Sequence, residues 1–137
     1  MTLGKRVRLV VCWVLGLYLA YLFVIQGWDK FDPEGMWAGP FEEWGYPVWL
    51  RIVVGGVEVV GGIALLVPWV ATWGGVSLAV IMTGAGVTRA SGGHWVDVAW
   101  IVLYAVVCVW IAWEWRAWRR PRRAATPPPS PPQDQST

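Results

Sequence analysis

The chain of 137 residues is 56% hydrophobic and 15% charged, with a mean hydropathy of +0.46. Soluble domains carry charged residues at about 25%, so two soluble domains, a disordered chain and a collagen-like chain are all excluded. The formal charge of +2 is small but lopsided, with Lys5, Arg6 and Arg8 opening the sequence and Arg116, Arg119, Arg120, Arg122 and Arg123 closing it. Basic ends around an apolar middle are the pattern of membrane orientation, not of nucleic-acid binding. Thirteen tryptophans against three phenylalanines and four tyrosines agree with that, because indole favours the membrane interface. The cysteines, Cys12 and Cys108, stand alone in apolar runs, which excludes a CxxC redox motif, a disulfide framework and a zinc site.

Taken in chain order, the first apolar run, Leu9 to Ile25, follows three basic residues without a small-x-small cleavage site. It predicts an uncleaved helix over 9–30. The next segment, 29–47, sets Asp29, Asp32, Glu34, Glu42 and Glu43 against Lys30 alone, with aromatics and three prolines among the acids. It reads as an outer loop whose rings rest on the outer interface or on the top of the bundle. A second span is predicted over 48–70, interrupted by Arg51 and Glu58 and stopped near Pro68. A third, short and rich in Gly and Ala, covers 73–90, and a fourth covers 96–115. Each is near the ~20 residues that cross a bilayer.

Eight of the eleven basic residues flank these spans, which puts both ends in the cytoplasm and requires an even number of crossings. The predicted fold is therefore all-α, a four-helix transmembrane bundle of the cell (inner) membrane, with a membrane domain over 1–116. Residues 117–137 turn basic and then Pro-rich, and read as a disordered C-terminal tail.

Intramembrane charge singles out the candidate site. Arg51, Gly55, Glu58 and Gly62 recur at spacings of four, three and four, so they share one helical face. A charge facing lipid costs ~2.5–3.5 kcal/mol on insertion scales, so this face points into the bundle, where the glycines admit another helix. Gly74, Ser77, Ile81, Gly84 and Thr88 form a matching small stripe on the third span. Asp97, Ile101, Tyr104 and Cys108 share a face of the fourth, and Cys12, Gly16, Leu19, Phe23, Gln26 and Lys30 share one of the first. Lys30, Arg51, Glu58, Thr88, Asp97 and Tyr104 are the predicted lining of an outward-opening polar cavity. The bland alternative is that Glu58, neutralised by protonation or by Lys30 or Arg51, only fixes helix register. His94 reads as an interfacial loop residue, and Trp28 and Trp95 as rim aromatics.

GWDKFDPEGMW at 27–37, WGYP at 44–47, RIVVGGVEVVGGIALLVPW at 51–69 and IMTGAGVTRASGGH up to His94 together resemble the DoxX family of small four-helix membrane proteins. The resemblance covers roughly residues 10–112. It implies a compact bundle loosely associated with membrane oxidoreductase systems: one relative is a subunit of a thiosulfate:quinone oxidoreductase, and others work with detoxification partners or as membrane chaperones. Lys30, Glu58 and Thr88 are carried over as recurring polar positions, while His94 departs from the family pattern by falling later than the histidine of many relatives.

Three functions then compete. The first is an accessory subunit, not catalytic alone and without an intrinsic cofactor, that binds a quinone or similar lipid near Glu58 beside a protein partner or a second copy. The second is a non-enzymatic scaffold or chaperone. The third, a small proton-coupled transporter, is disfavoured by the lack of an inverted repeat.

Overall fold

A computed structural model describes residues 2–120. Among the described residues the chain is all-helical, with α1 (Leu3–Asp29), α2 (Ala38–Glu43), α3 (Val48–Ala64), α4 (Ala71–Ser91) and α5 (Trp95–Arg119), and no strand. α1, α4 and α5 are long and apolar enough to cross a membrane. Their outward faces expose Val10, Leu17, Val80, Val102 and Val106. Apolar surface of this extent calls for lipid, and the chain is a membrane protein.

The second predicted span is cut short, because α3 ends at Ala64 and residues 65–70 form turns. Pro68 is the cause. Its ring clashes with the Ala64 carbonyl one turn back, and it disfavours helical backbone at Val67. The carbonyls left open are partly met by α5: Trp115 Nε1 donates to the Leu65 oxygen at 3.1 Å, and Arg119 donates to the Trp69 oxygen at 3.3 Å. These contacts hold the last turns of α5, which runs to Arg119 and beyond the predicted limit of 115. Of the tail predicted over 117–137, residues 117–119 belong instead to α5, and residues 121–137 lie outside the described residues.

One helix was not foreseen. α2 forms inside the acidic loop, where Pro40 is tolerated because the first-turn N–H groups of a helix have no internal acceptor anyway. It closes in a Schellman motif: Gly45 takes φ 72°, its N–H bonds the Glu42 oxygen at 2.9 Å, and Tyr46 N–H bonds the Phe41 oxygen at 3.0 Å. The Tyr46 ring then packs on Phe41 with centroids 6.0 Å apart, the apolar contact that accompanies this motif. α4 ends the same way, with Gly93 at φ 77° and His94 N–H on the Arg89 oxygen at 3.0 Å. His94 thus has a backbone role in an exposed turn, in keeping with its reading as a loop residue.

α1 packs on α3, α3 on α4, α4 on α5, and α5 returns to α1. At one end Arg8 pairs with Glu114, and Trp13 meets Trp115 edge-on at 5.4 Å, so the start of α1 and the end of α5 lie together. At the opposite end lie Lys30, α2 and the α4–α5 turn, where Arg89 pairs with Asp97 at 3.2 Å. The core of Cys12, Leu19, Leu65, Leu78, Cys108 and Ile111 fills the half nearest the Arg8–Glu114 pair. The other half holds the candidate site.

Candidate functional site

Two glycines bring α1 and α3 into backbone contact. A Cβ on Gly27 would lie 2.6 Å from the Gly55 oxygen, and one on Gly55 would lie 2.6 Å from the Gly27 oxygen, so only glycine fits at either position. This approach lets Lys30, at the end of α1, reach Glu58 in mid-α3. Lys30 Nζ donates to Glu58 Oε2 at 2.6 Å and to the Gln26 oxygen at 3.3 Å. Both residues are only 3% exposed. Glu58 stands ten residues into its helix, about 15 Å along the axis at 1.5 Å per residue. So short a charge-assisted bond between buried groups fixes the two helices in register.

The pair forms part of the wall of a cavity of about 340 Å³. Its deep wall is apolar, formed by Leu19, Phe23, Ile81 and Met82. Lys30, Glu58, Thr88, Tyr104 and Arg89 bring polar groups to it, and Trp37, Phe41, Trp44 and Tyr46 roof it. The roof is tied down by the turn chemistry of α2 and by a hydrogen bond of 2.8 Å between the Tyr46 hydroxyl and Thr88 Oγ1. Cations support the indoles from below: Lys30 Nζ lies 4.4 Å from the Trp37 ring centroid, and the Arg89 guanidinium 5.1 Å from that of Trp44. Trp37 Nε1 is buried without a hydrogen-bond partner among the described residues. An orphaned donor of this kind is costly unless something supplies an acceptor.

Four of the six predicted site residues, Lys30, Glu58, Thr88 and Tyr104, line the cavity. The other two do not. Arg51 is buried on the expected face, but its guanidinium donates to the Asp32 oxygen at 2.7 Å and pins the α1–α2 connector. Asp97 sits at the start of α5, where it pairs with Arg89 beyond the cavity wall. Of the two places expected for the loop aromatics, the interface and the top of the bundle, Trp37, Phe41, Trp44 and Tyr46 take the second, although none of them was predicted as a lining residue of the cavity. The indoles at the cavity are Trp37 and Trp44, while Trp28 and Trp95, the expected rim, are exposed. The available signal was WGYP, whose Gly45 turn folds Tyr46 back over Phe41. Glu114 was also overlooked; it is a second buried carboxylate, paired with Arg8 at the far end.

The family model described as the DoxX-like family matches residues 14–111, a stretch that includes the ion pair, the roof and the cavity wall. No curated protein and no solved structure matches the chain.

Proposed function

The chain belongs to the DoxX-like family, and from that premise we propose that it is a multi-pass inner-membrane protein that holds a quinone or a similar lipid-soluble molecule for a membrane redox or detoxification partner. In this reading α3 is the fourth span. Its charged face is covered by α1, while Ile52, Val53, Val60 and Ile63 present apolar side chains outward. Both ends of the chain then lie in the cytoplasm, with Lys5, Arg6 and Arg8 beside Arg116 and Arg119, and the acidic α2 region outside.

The observation that carries the proposal is an apolar cavity with the unpartnered Trp37 Nε1 donor in its roof and the Lys30–Glu58 pair in its wall. The residues present fit a quinone, which is a flat ring with acceptor oxygens. Trp37 and Arg89 offer donors to a carbonyl, the indoles of Trp37 and Trp44 offer stacking faces, and Leu19, Phe23 and Met82 offer an apolar bed. When bound, a quinone supplies reversible two-electron, two-proton chemistry, with electrons delivered by the partner. The chain's own residues bind and orient the ring, exclude water from it, and place the exchangeable protons of Lys30 and the Tyr104 hydroxyl at the cavity wall.

The test is tryptophan quenching in nanodiscs with decylubiquinone. Saturable quenching is expected, losing most of its amplitude in a Trp37→Phe/Trp44→Phe variant and its affinity in Ala85→Phe, which fills the cavity. Absence of saturable quenching, together with normal partner assembly of Ala85→Phe, would leave the scaffold reading in its place.

A further inference from the structure

Resting on that reading, we infer that the cavity continues sideways into the bilayer through a gap between α3 and α4, and that its ligand is an amphiphile whose hydrocarbon tail lies in this gap while its head stays under the roof. The gap is marked by residues that face both the cavity and the outside. Tyr46, Val80 and Gly84 are the exposed members of the cavity lining, and the rest are buried or half-buried. These three lie together. Val80, Gly84 and Thr88 follow one another at spacings of four along one flank of α4, and Tyr46, just ahead of α3, reaches that flank through its hydroxyl bond to Thr88. Leu50 and Val54 supply the α3 side of the opening.

Contacts bound the gap at both ends. Toward the inner end α3 and α4 touch: a Cβ on Gly61 would stand 2.9 Å from Leu78 Cγ, and one on Gly74 would stand 2.9 Å from the Gly61 oxygen. Toward the outer end the Tyr46–Thr88 bond of 2.8 Å crosses from the start of α3 to α4. Between them a Cβ on Gly84 would meet nothing within 4 Å. Leu78 and Thr88 are ten positions apart, so the gap runs for about 15 Å along α4. Its surroundings are apolar. Val76, Val80 and Val87 are exposed around it, and the Thr83 and Thr88 hydroxyls donate to the Ala79 and Gly84 oxygens at 2.8 and 3.0 Å. Gly84 stands about 10 Å from the Ser91 end of its helix, at the depth of acyl chains. Volume then divides the ligand. Ligand cavities run from ~300 to 1,000 Å³, and about 340 Å³ accommodates a single substituted ring but no long chain. A longer ligand must extend beyond the cavity, and the gap gives a hydrocarbon tail an apolar path that keeps it out of water.

The test uses a decylubiquinone analogue with a diazirine near the ring end of its tail, photolysed on the protein in nanodiscs and mapped by mass spectrometry. Adducts are expected between Val80 and Gly84 on α4 and between Leu50 and Val54 on α3, and unlabelled decylubiquinone should compete them away. In parallel, Gly84→Leu puts a side chain into the gap from a position whose Cβ has open space. It should weaken decylubiquinone binding at least about tenfold and that of the tail-less dimethoxy-methyl-benzoquinone less than about twofold, both read by tryptophan quenching. Competed adducts on Leu22 or Ile101 put the tail on the α1 and α5 side, which overturns the gap and leaves the proposed function standing. Equal weakening of both compounds by Gly84→Leu has the same meaning. Adducts in the gap that decylubiquinone does not compete, in a protein that binds it, identify bulk lipid as the occupant and also overturn the inference. Absence of saturable binding of either compound overturns the gap and the proposed function together.

Discussion

The Lys30–Glu58 pair sets a quantitative test of what holds the site together. Both side chains are 4% exposed, and Lys30 is the hydrogen-bond partner of Glu58 among the described residues. Removing one member of a buried pair costs ~3–5 kcal/mol, since an uncompensated charge stays behind. Lys30→Met, which strands Glu58, belongs at the upper end of that range. Glu58→Leu belongs at the lower end, because Lys30 keeps the Gln26 oxygen at 3.3 Å and the Trp37 ring at 4.4 Å, and its stem can extend toward the outer interface. The double variant Lys30→Met/Glu58→Leu leaves no stranded charge and fills similar volume, so it should cost less than either single change. A coupling energy larger than the greater single loss, and so above ~3 kcal/mol, follows. Steric trapping in bicelles, or reversible unfolding in dodecyl sulfate followed by tryptophan fluorescence, measures all four corners of the cycle. If the double variant loses the sum of the two single losses, the pair is not a coupled buried unit and the argument for a fixed α1–α3 register fails.

Three further outcomes follow from the geometry. Gly55→Ala should destabilise by ~1–3 kcal/mol in the same unfolding assay, because its Cβ would stand 2.6 Å from the Gly27 oxygen, while Gly84→Ala, which meets nothing within 4 Å, should be close to neutral; equal effects would refute the close approach. Tyr46→Phe removes a roof bond of ~0.5–1.5 kcal/mol, so hydrogen exchange in α2 should speed up by up to about tenfold while the core of α5 stays unchanged, and an unaltered α2 would show that Thr88 does not tether the roof. For topology, Glu34→Cys should react with an impermeant maleimide on intact cells and Thr2→Cys should not; the reverse pattern refutes cytoplasmic ends.

The helices were legible in the sequence to the extent that hydropathy and punctuation agree. α1, α4 and α5 are unbroken apolar runs, and their bounds differ from the prediction by a few residues, except for α1, whose first turns reach back into the basic cluster at Lys5, Arg6 and Arg8. The error at α3 has one source: the sequence from Leu65 to Val70 is apolar enough to continue a span, but Pro68 acts one turn upstream of its own position and ends the helix at Ala64. α2 was invisible for the opposite reason. Six residues carrying a proline and two acids give no periodic signal, and the helix exists because Gly45 can adopt φ 72° and close its last turn.

The site divides along the same line between local and tertiary information. Spacing alone put Glu58 on a glycine-bracketed face and Lys30 on the facing stripe of α1, since both facts depend only on helical period. It could not separate Arg51 from Lys30 as the partner, because that choice depends on where α1 ends relative to α3. The Gly27–Gly55 contact decides it, delivering Lys30 to Glu58 and leaving Arg51 to take the Asp32 oxygen. The same reasoning explains why there is a cavity. The small stripe of α4 reads as suited to lie against α3, and its inner half does so, with Gly74 packed on Ala64 and the Gly61 oxygen. Toward the outer end the two helices part, so Gly84 meets nothing within 4 Å, and Gly84, Ala85 and Thr88 line open space instead of a helix. Small residues that would have sealed the helices together there instead leave room between them, and the aromatics of α2 cover that room from above. A ligand site thus arises where the glycine contacts of α4 with α3 stop, with the Lys30–Glu58 pair keeping the neighbouring wall of α1 and α3 fixed.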